Sequence, residues 1–108
     1  MATSERADEI LAQMADNNPE LIEGLIGAQI KNIENSGLDP KTHALVRIAS
    51  LISVGAPPAS FAWQVSLARE CGATADDITG VLVAVAPTAG VPRVVAAAPQ
   101  IAEALGTY

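Results

Sequence analysis

The sequence predicts an all-α fold, a bundle of six helices, and three observations carry that expectation. Apolar residues recur at helical spacing in every segment after residue 9, and no period of two persists long enough to make a strand. Helix-starting pairs (Asn18-Pro19, Asp39-Pro40, Pro57-Pro58) alternate with glycines that stop helices, at Gly37, Gly55, Gly72 and Gly90. The links between these signals are short, which makes neighbouring helices antiparallel.

Taken in order, Ser4 caps a first helix carrying Ile10, Leu11 and Met14. Asn18 and Pro19 restart the chain with a capping side chain and a proline at the first helical position. The second helix places Leu21, Ile22, Leu25, Ile26, Ile30 and Ile33 on one wide apolar face and stops at Gly37. Asp39-Pro40 begins a third, which Gly55 ends. Pro57-Pro58 opens a fourth, closed by Gly72. Thr74 with Asp77 approximates a capping box for a fifth, which runs through Ile78, Val81, Leu82 and Val85 to Gly90. Pro92 starts a sixth, which Pro99 is expected to kink or shorten. No linker, low-complexity segment or internal repeat interrupts the series. The expectation is one compact domain, with residues 1–37 as an N-terminal helical layer and residues 38–106 as the core.

Half the residues are hydrophobic and 17% are charged, below the roughly 25% typical of soluble domains. So small a chain with so few charges is expected to hide apolar surface against copies of itself, as a homo-oligomer. The net charge of −6 leaves no basic stripe to displace counterions from phosphates, which argues against nucleic acid. The acids concentrate early: Glu5, Asp8, Glu9, Asp16, Glu20, Glu23, Glu34 and Asp39 face only Arg6 and Lys31 in residues 1–39. Such an acidic helical face keeps a protein soluble. No apolar run approaches the ~20 residues needed to span a bilayer. The polar, acidic start has no signal-peptide layout, so a cytoplasmic protein without membrane partners is expected. A single cysteine excludes an intrachain disulfide and a cysteine-based structural zinc site. No pattern points to a metal or a cofactor, since Gly24, Gly27 and Gly37 belong to a helix and its end rather than to a phosphate-cradling loop.

Leu38-Asp39-Pro40-Lys41-Thr42, the Gly72-Ala73-Thr74 turn and Ala89-Gly90-Val91-Pro92 occur in an order and spacing that resembles the carboxymuconolactone decarboxylase family, which includes the AhpD-like alkylhydroperoxidases. The resemblance implies an AhpD-like helical bundle that assembles as a homotrimer or homohexamer. Peroxidases of that family carry Cys-x-x-Cys-x-x-x-His in the helix before the Gly-Ala-Thr turn. The matching positions here are Pro57, Ser60 and Gln64. Peroxide reduction needs a thiolate of lowered pKa and a second thiol to resolve the sulfenic acid, and neither Pro57 nor Ser60 supplies one. A family glutamate on the preceding helix would fall near Ala44. The decarboxylase branch keeps an acidic residue and the histidine, and Gln64 replaces that histidine. An amide orients or hydrogen-bonds a substrate but does not shuttle a proton near neutral pH.

At 100° per residue, Phe61, Val65 and Ala68 form the centre of the fourth helix's core face, with Ser60, Gln64, Leu67 and Cys71 along its edge. This stripe has two readings, core-margin groups satisfied by backbone or the floor of a pocket. Cys71 reads as a small structural residue. The sole histidine, His43, stands one turn from Arg47 on the third helix, with Ser50 and Val54 and opposite a core stripe of Leu45, Ile48, Ala49 and Ile52. Histidine shuttles protons and arginine clamps a carboxylate, which would suit a small organic acid. A solvated or interface-lining polar face accounts for the same pair. Trp63 projects away from the core centre as a candidate interface anchor.

Two function classes follow. In one, the chain is an enzyme of lyase or isomerase type that binds a small organic acid or lactone through His43, Arg47, Ser60 and Gln64. In the other, it is a non-catalytic oligomeric binding or scaffolding module that kept the fold after losing the active site.

Overall fold

Proline and glycine set the boundaries of the helices. The computed structural model describes residues 5–16 and 30–106, without the side chains of residues 10, 13 and 14. The helices are α1 (Glu5–Ala15), α2 (Pro40–Val54), α3 (Pro58–Glu70), α4 (Ala75–Ala89) and α5 (Val91–Leu105). Residues 30–36 are also helical and no strand occurs among the described residues. The expected cap Ser4, the Asn18-Pro19 restart and the apolar run from Leu21 to Ile26 lie outside the described residues. The chain divides into two units, Met1–Gly37 and Leu38–Tyr108.

In the first unit, α1 carries Glu5 and Asp8 in its opening turn, where the helix dipole favours negative charge. Its Leu11 is exposed.

In the second unit each helix has a chemical start and stop. Asp39 accepts from the Thr42 backbone N–H at 3.1 Å and from the Thr42 hydroxyl, while Pro40 occupies the first helical turn. These bonds, the hydroxyl's first, hold the Asp39 carboxyl below its usual range. α2 ends where Gly55 takes a left-handed conformation (φ 67°), with Gly55 N–H donating to Ile52 O and Ala56 N–H to Leu51 O. A side chain at Gly55 would be strained, and its Cβ would run into the Arg93 guanidinium from the start of α5. The capping box before α4 is complete: Asp77 N–H donates to Thr74 Oγ1 at 3.0 Å and Thr74 N–H to Asp77 Oδ2 at 2.9 Å. Asp77 also meets Lys41 Nζ at 3.0 Å, linking the first turns of α4 and α2 through partly exposed groups.

α2 packs against α3, α4 and α5, while α5 also packs against α3 and α4. The space between them is filled by Ile48 and Ile52 of α2, Phe61, Val65 and Ala68 of α3, Ile78 of α4, and Ala97 and Ile101 of α5. Ala44 and Ala73 complete this buried set. The stripe expected on α2 is therefore rotated. Ile48 and Ile52 are buried with His43 and Ala44, whereas Leu45 and Ala49 are only partly covered. Three helices close on α2, so its buried arc is wider than one stripe and extends to the side of His43.

Pro99 does not shorten the last helix, which continues to Leu105. Core contacts through Ala97 and Ile101, on both sides of Pro99, hold the turns together, and tertiary packing supplies most helical stability in folded proteins.

Phe61→Ala opens a cavity at the centre of this core and should destabilise the chain by about 3–5 kcal/mol. Thr74→Ala removes one half of the capping box and should lose only about 1 kcal/mol. Urea unfolding of both variants measures the order, and equal losses would contradict the assignment of Phe61 to the core centre.

Candidate functional site

The rotation that buries Phe61, Val65 and Ala68 carries Gln64 inside with them. Gln64 is 5% exposed, and its Nε2 has no hydrogen-bond partner. A buried amide donor in that condition costs roughly 1–3 kcal/mol relative to a satisfied one. The expected edge stripe thus splits: Gln64 is in the core, while Ser60, Leu67 and Cys71 remain half-buried beside it. Pro57 takes the N-cap position of α3 and Pro58 its first helical turn, so neither offers an N–H, and Ser60 N–H donates back to Pro57 O at 3.0 Å.

His43 and Arg47 belong to the neighbouring α2. The expected position of His43, opposite the core stripe, is corrected: it is buried, at 5% exposure, next to Ala44 on the inner side. Arg47, one turn on, is half-buried. Burial pushes the His43 pKa down, and the Arg47 charge pushes it further the same way. The imidazole is therefore neutral at pH 7, able to accept a proton or a hydrogen bond. Ala44, where the family's glutamate would fall, is buried and brings no acid.

The structure couples His43 with Arg47 on α2 and places Ser60 and Gln64 on the helix packed against it. An open groove of about 360 Å³ lies on another side of α3, lined by Pro58, Ala59, Ala62, Gln100, Glu103 and Ala104. None of the four candidate residues lines it. Sequence reasoning did not single out Gln100 and Glu103, because the groove exists only once the end of α5 meets the start of α3. Their spacing, three residues apart on one helix face, is the signal that would have drawn attention to them.

The model of the carboxymuconolactone decarboxylase family matches residues 19–104. The chain belongs to this family. The match begins ahead of Leu38 and so takes in part of the first unit. No curated protein and no solved structure matches the chain significantly. Within the carboxymuconolactone decarboxylase family this chain has an amide at Gln64 and a neutral, buried imidazole at His43 as its central polar groups. No cluster of histidine, cysteine or carboxylate side chains able to hold a metal occurs among the described residues. No helix among them is long and apolar enough to cross a membrane.

The direction of the His43 shift sets a pH dependence. The unfolded chain takes up a proton near pH 6.5, the ordinary histidine value, whereas folded His43 resists it. Its neutral form therefore contributes stability above about pH 6.5, and that contribution is lost as pH falls from there towards the folded pKa. Stability should fall as pH drops below about 6.5, and His43→Gln should flatten this part of the curve, because His43 is the sole histidine. Denaturant midpoints across that window make the comparison. An unchanged slope in the variant means His43 is not the titrating group.

Proposed function

We propose that this member of the carboxymuconolactone decarboxylase family works without thiol peroxidase chemistry and binds or converts a small organic acid or lactone beside Ser60 and Gln64. The buried, unpartnered Nε2 of Gln64 carries the reading. A donor held in an apolar setting is satisfied when a carbonyl or carboxylate oxygen reaches it. In this scheme Gln64 orients the ligand oxygen and the half-buried Ser60 hydroxyl supplies a second hydrogen bond. The neutral imidazole of His43 moves a proton, and Arg47 pairs a substrate carboxylate. The chemistry is of the lyase or isomerase kind, in a cytoplasmic homo-oligomer. The groove that lies away from all four residues favours the second reading, a non-catalytic oligomeric binding or scaffolding module.

Thermal unfolding in the presence of small carboxylic acids and lactones separates the two. A ligand at about a hundred times its Kd should add about 2.7 kcal/mol, a rise of several degrees in Tm for a chain of this size. Gln64→Leu should abolish the shift while leaving the apo protein as stable or slightly more so, because it removes a stranded donor. If Gln64→Leu instead costs the apo protein ~1–3 kcal/mol and no ligand raises Tm, the scaffold reading stands.

The loss of peroxidase chemistry has its own assay. Turnover of an organic peroxide with a dithiol reductant should be absent, since Cys71 is the only thiol and has no resolving partner in the chain. Activity that vanishes in Cys71→Ser would show Cys71 to be a nucleophile.

A further inference from the structure

Glu103 stands in the last turn of α5, which contains no basic residue. A helix C-terminus favours cations and disfavours a carboxylate, so Glu103 is set against the dipole of its own helix. It is exposed, and its carboxylate has no ion pair or hydrogen bond among the described residues. The cations of residues 38–108 lie elsewhere. Lys41 pairs with Asp77, Arg47 acts on His43, and Arg93 lies over Gly55. Arg69 is at the far end of α3, about 15 Å along the axis from Ala59.

This uncompensated carboxylate lines the groove of about 360 Å³ between the end of α5 and the start of α3. The other lining residues bring no second charge: Pro58, Ala59, Ala62 and Ala104 are apolar, and Gln100 carries an amide. The volume falls within the roughly 300–1,000 Å³ of small-molecule sites. The α3 side offers an anion little, because Pro57 and Pro58 have no N–H and Ser60 N–H already donates to Pro57 O. The sign of the groove is therefore set by Glu103 and the carbonyl end of α5. Trp63 is 54% exposed and stands one turn on from Ala59, about 40° further round α3. An indole face on that flank attracts cations as well.

We infer that the groove between α3 and α5 binds a small organic cation, an amine with an apolar body. The ammonium group pairs with the Glu103 carboxylate and donates a further hydrogen bond to the Gln100 side-chain oxygen. The apolar body rests on Pro58, Ala59 and Ala62, with Trp63 at its edge. The groove shares no residue with the polar group at Ser60 and Gln64.

Benzylamine, benzyl alcohol and benzoate carry the same ring with a positive, a neutral and a negative head, so titrating the full chain with each isolates the charge. Trp63 is the sole tryptophan, and its emission reports on the groove directly. Backbone amide shifts of the labelled chain locate the site. Benzylamine should bind saturably, with shifts centred on Ala59, Ala62 and Ala104, and should bind more tightly than the other two. Glu103→Gln should weaken it about five- to tenfold, and Glu103→Lys should abolish it. Circular dichroism should be unchanged in both, because the carboxylate is exposed and unpaired in the fold. Asp76→Asn, which removes an equal charge at the start of α4, should leave the affinity as it was. The inference is overturned if benzyl alcohol or benzoate binds as tightly as benzylamine. It is equally overturned if Glu103→Gln binds like wild type, if the shifts centre elsewhere, or if no saturable binding occurs.

Discussion

The burial of α2 against three other helices is the constraint on which the rest of the second unit depends. Ile48 and Ile52 are fully enclosed, and the residues that enclose them come from α3, α4 and α5. An exposed helix of 15 residues is marginal in water, so α2 persists because its neighbours remove those side chains from solvent. The caps at Asp39, Gly55 and Thr74 then act on direction rather than on total stability. They fix where the helices begin and end, and therefore which residues arrive opposite Ile48 and Ile52.

That enclosure creates the tension at Gln64. A helix presenting Phe61, Val65 and Ala68 to a close-packed interior carries the side chain between them into the same space. Leucine of similar volume would fill the position without a stranded donor. The amide is an expense to the apo fold, and local rules of consistency fail most often where function is built. His43 is a second case of the same kind. Its burial follows from the wide arc of α2, and the neighbouring Arg47 reinforces the neutral form that burial already favours. Two polar groups are thus held in a core otherwise made of isoleucine, valine, alanine and one phenylalanine.

The outer surface follows a different logic. The α4–α5 hairpin keeps its charges at its two ends, in Asp76, Asp77 and Glu103, with Arg93 laid over Gly55.

Much of the second unit was legible in the sequence, because its signals are local. Asp39-Pro40, Gly55, Pro57-Pro58, the Thr74–Asp77 box and Gly90 act through bonds and dihedral angles within a few residues, and each marks a boundary that the structure shows. The family was legible for the same reason, since its motifs are the turns themselves. Side-chain fate was less so. Pro99 read as a kink or an early end, and the helix continues past it to Leu105, with Ala97 and Ile101 packed in the core on either side. His43 read as lying opposite the core, and Gln64 as standing at its margin. A helical wheel ranks positions about one axis, whereas burial depends on how many neighbours close around that axis. The sequence by itself therefore determined the helix boundaries of the second unit and the family. Only the tertiary structure decided that His43 and Gln64 are inside and that the groove lies at Gln100 and Glu103, because enclosure is a property of several helices at once.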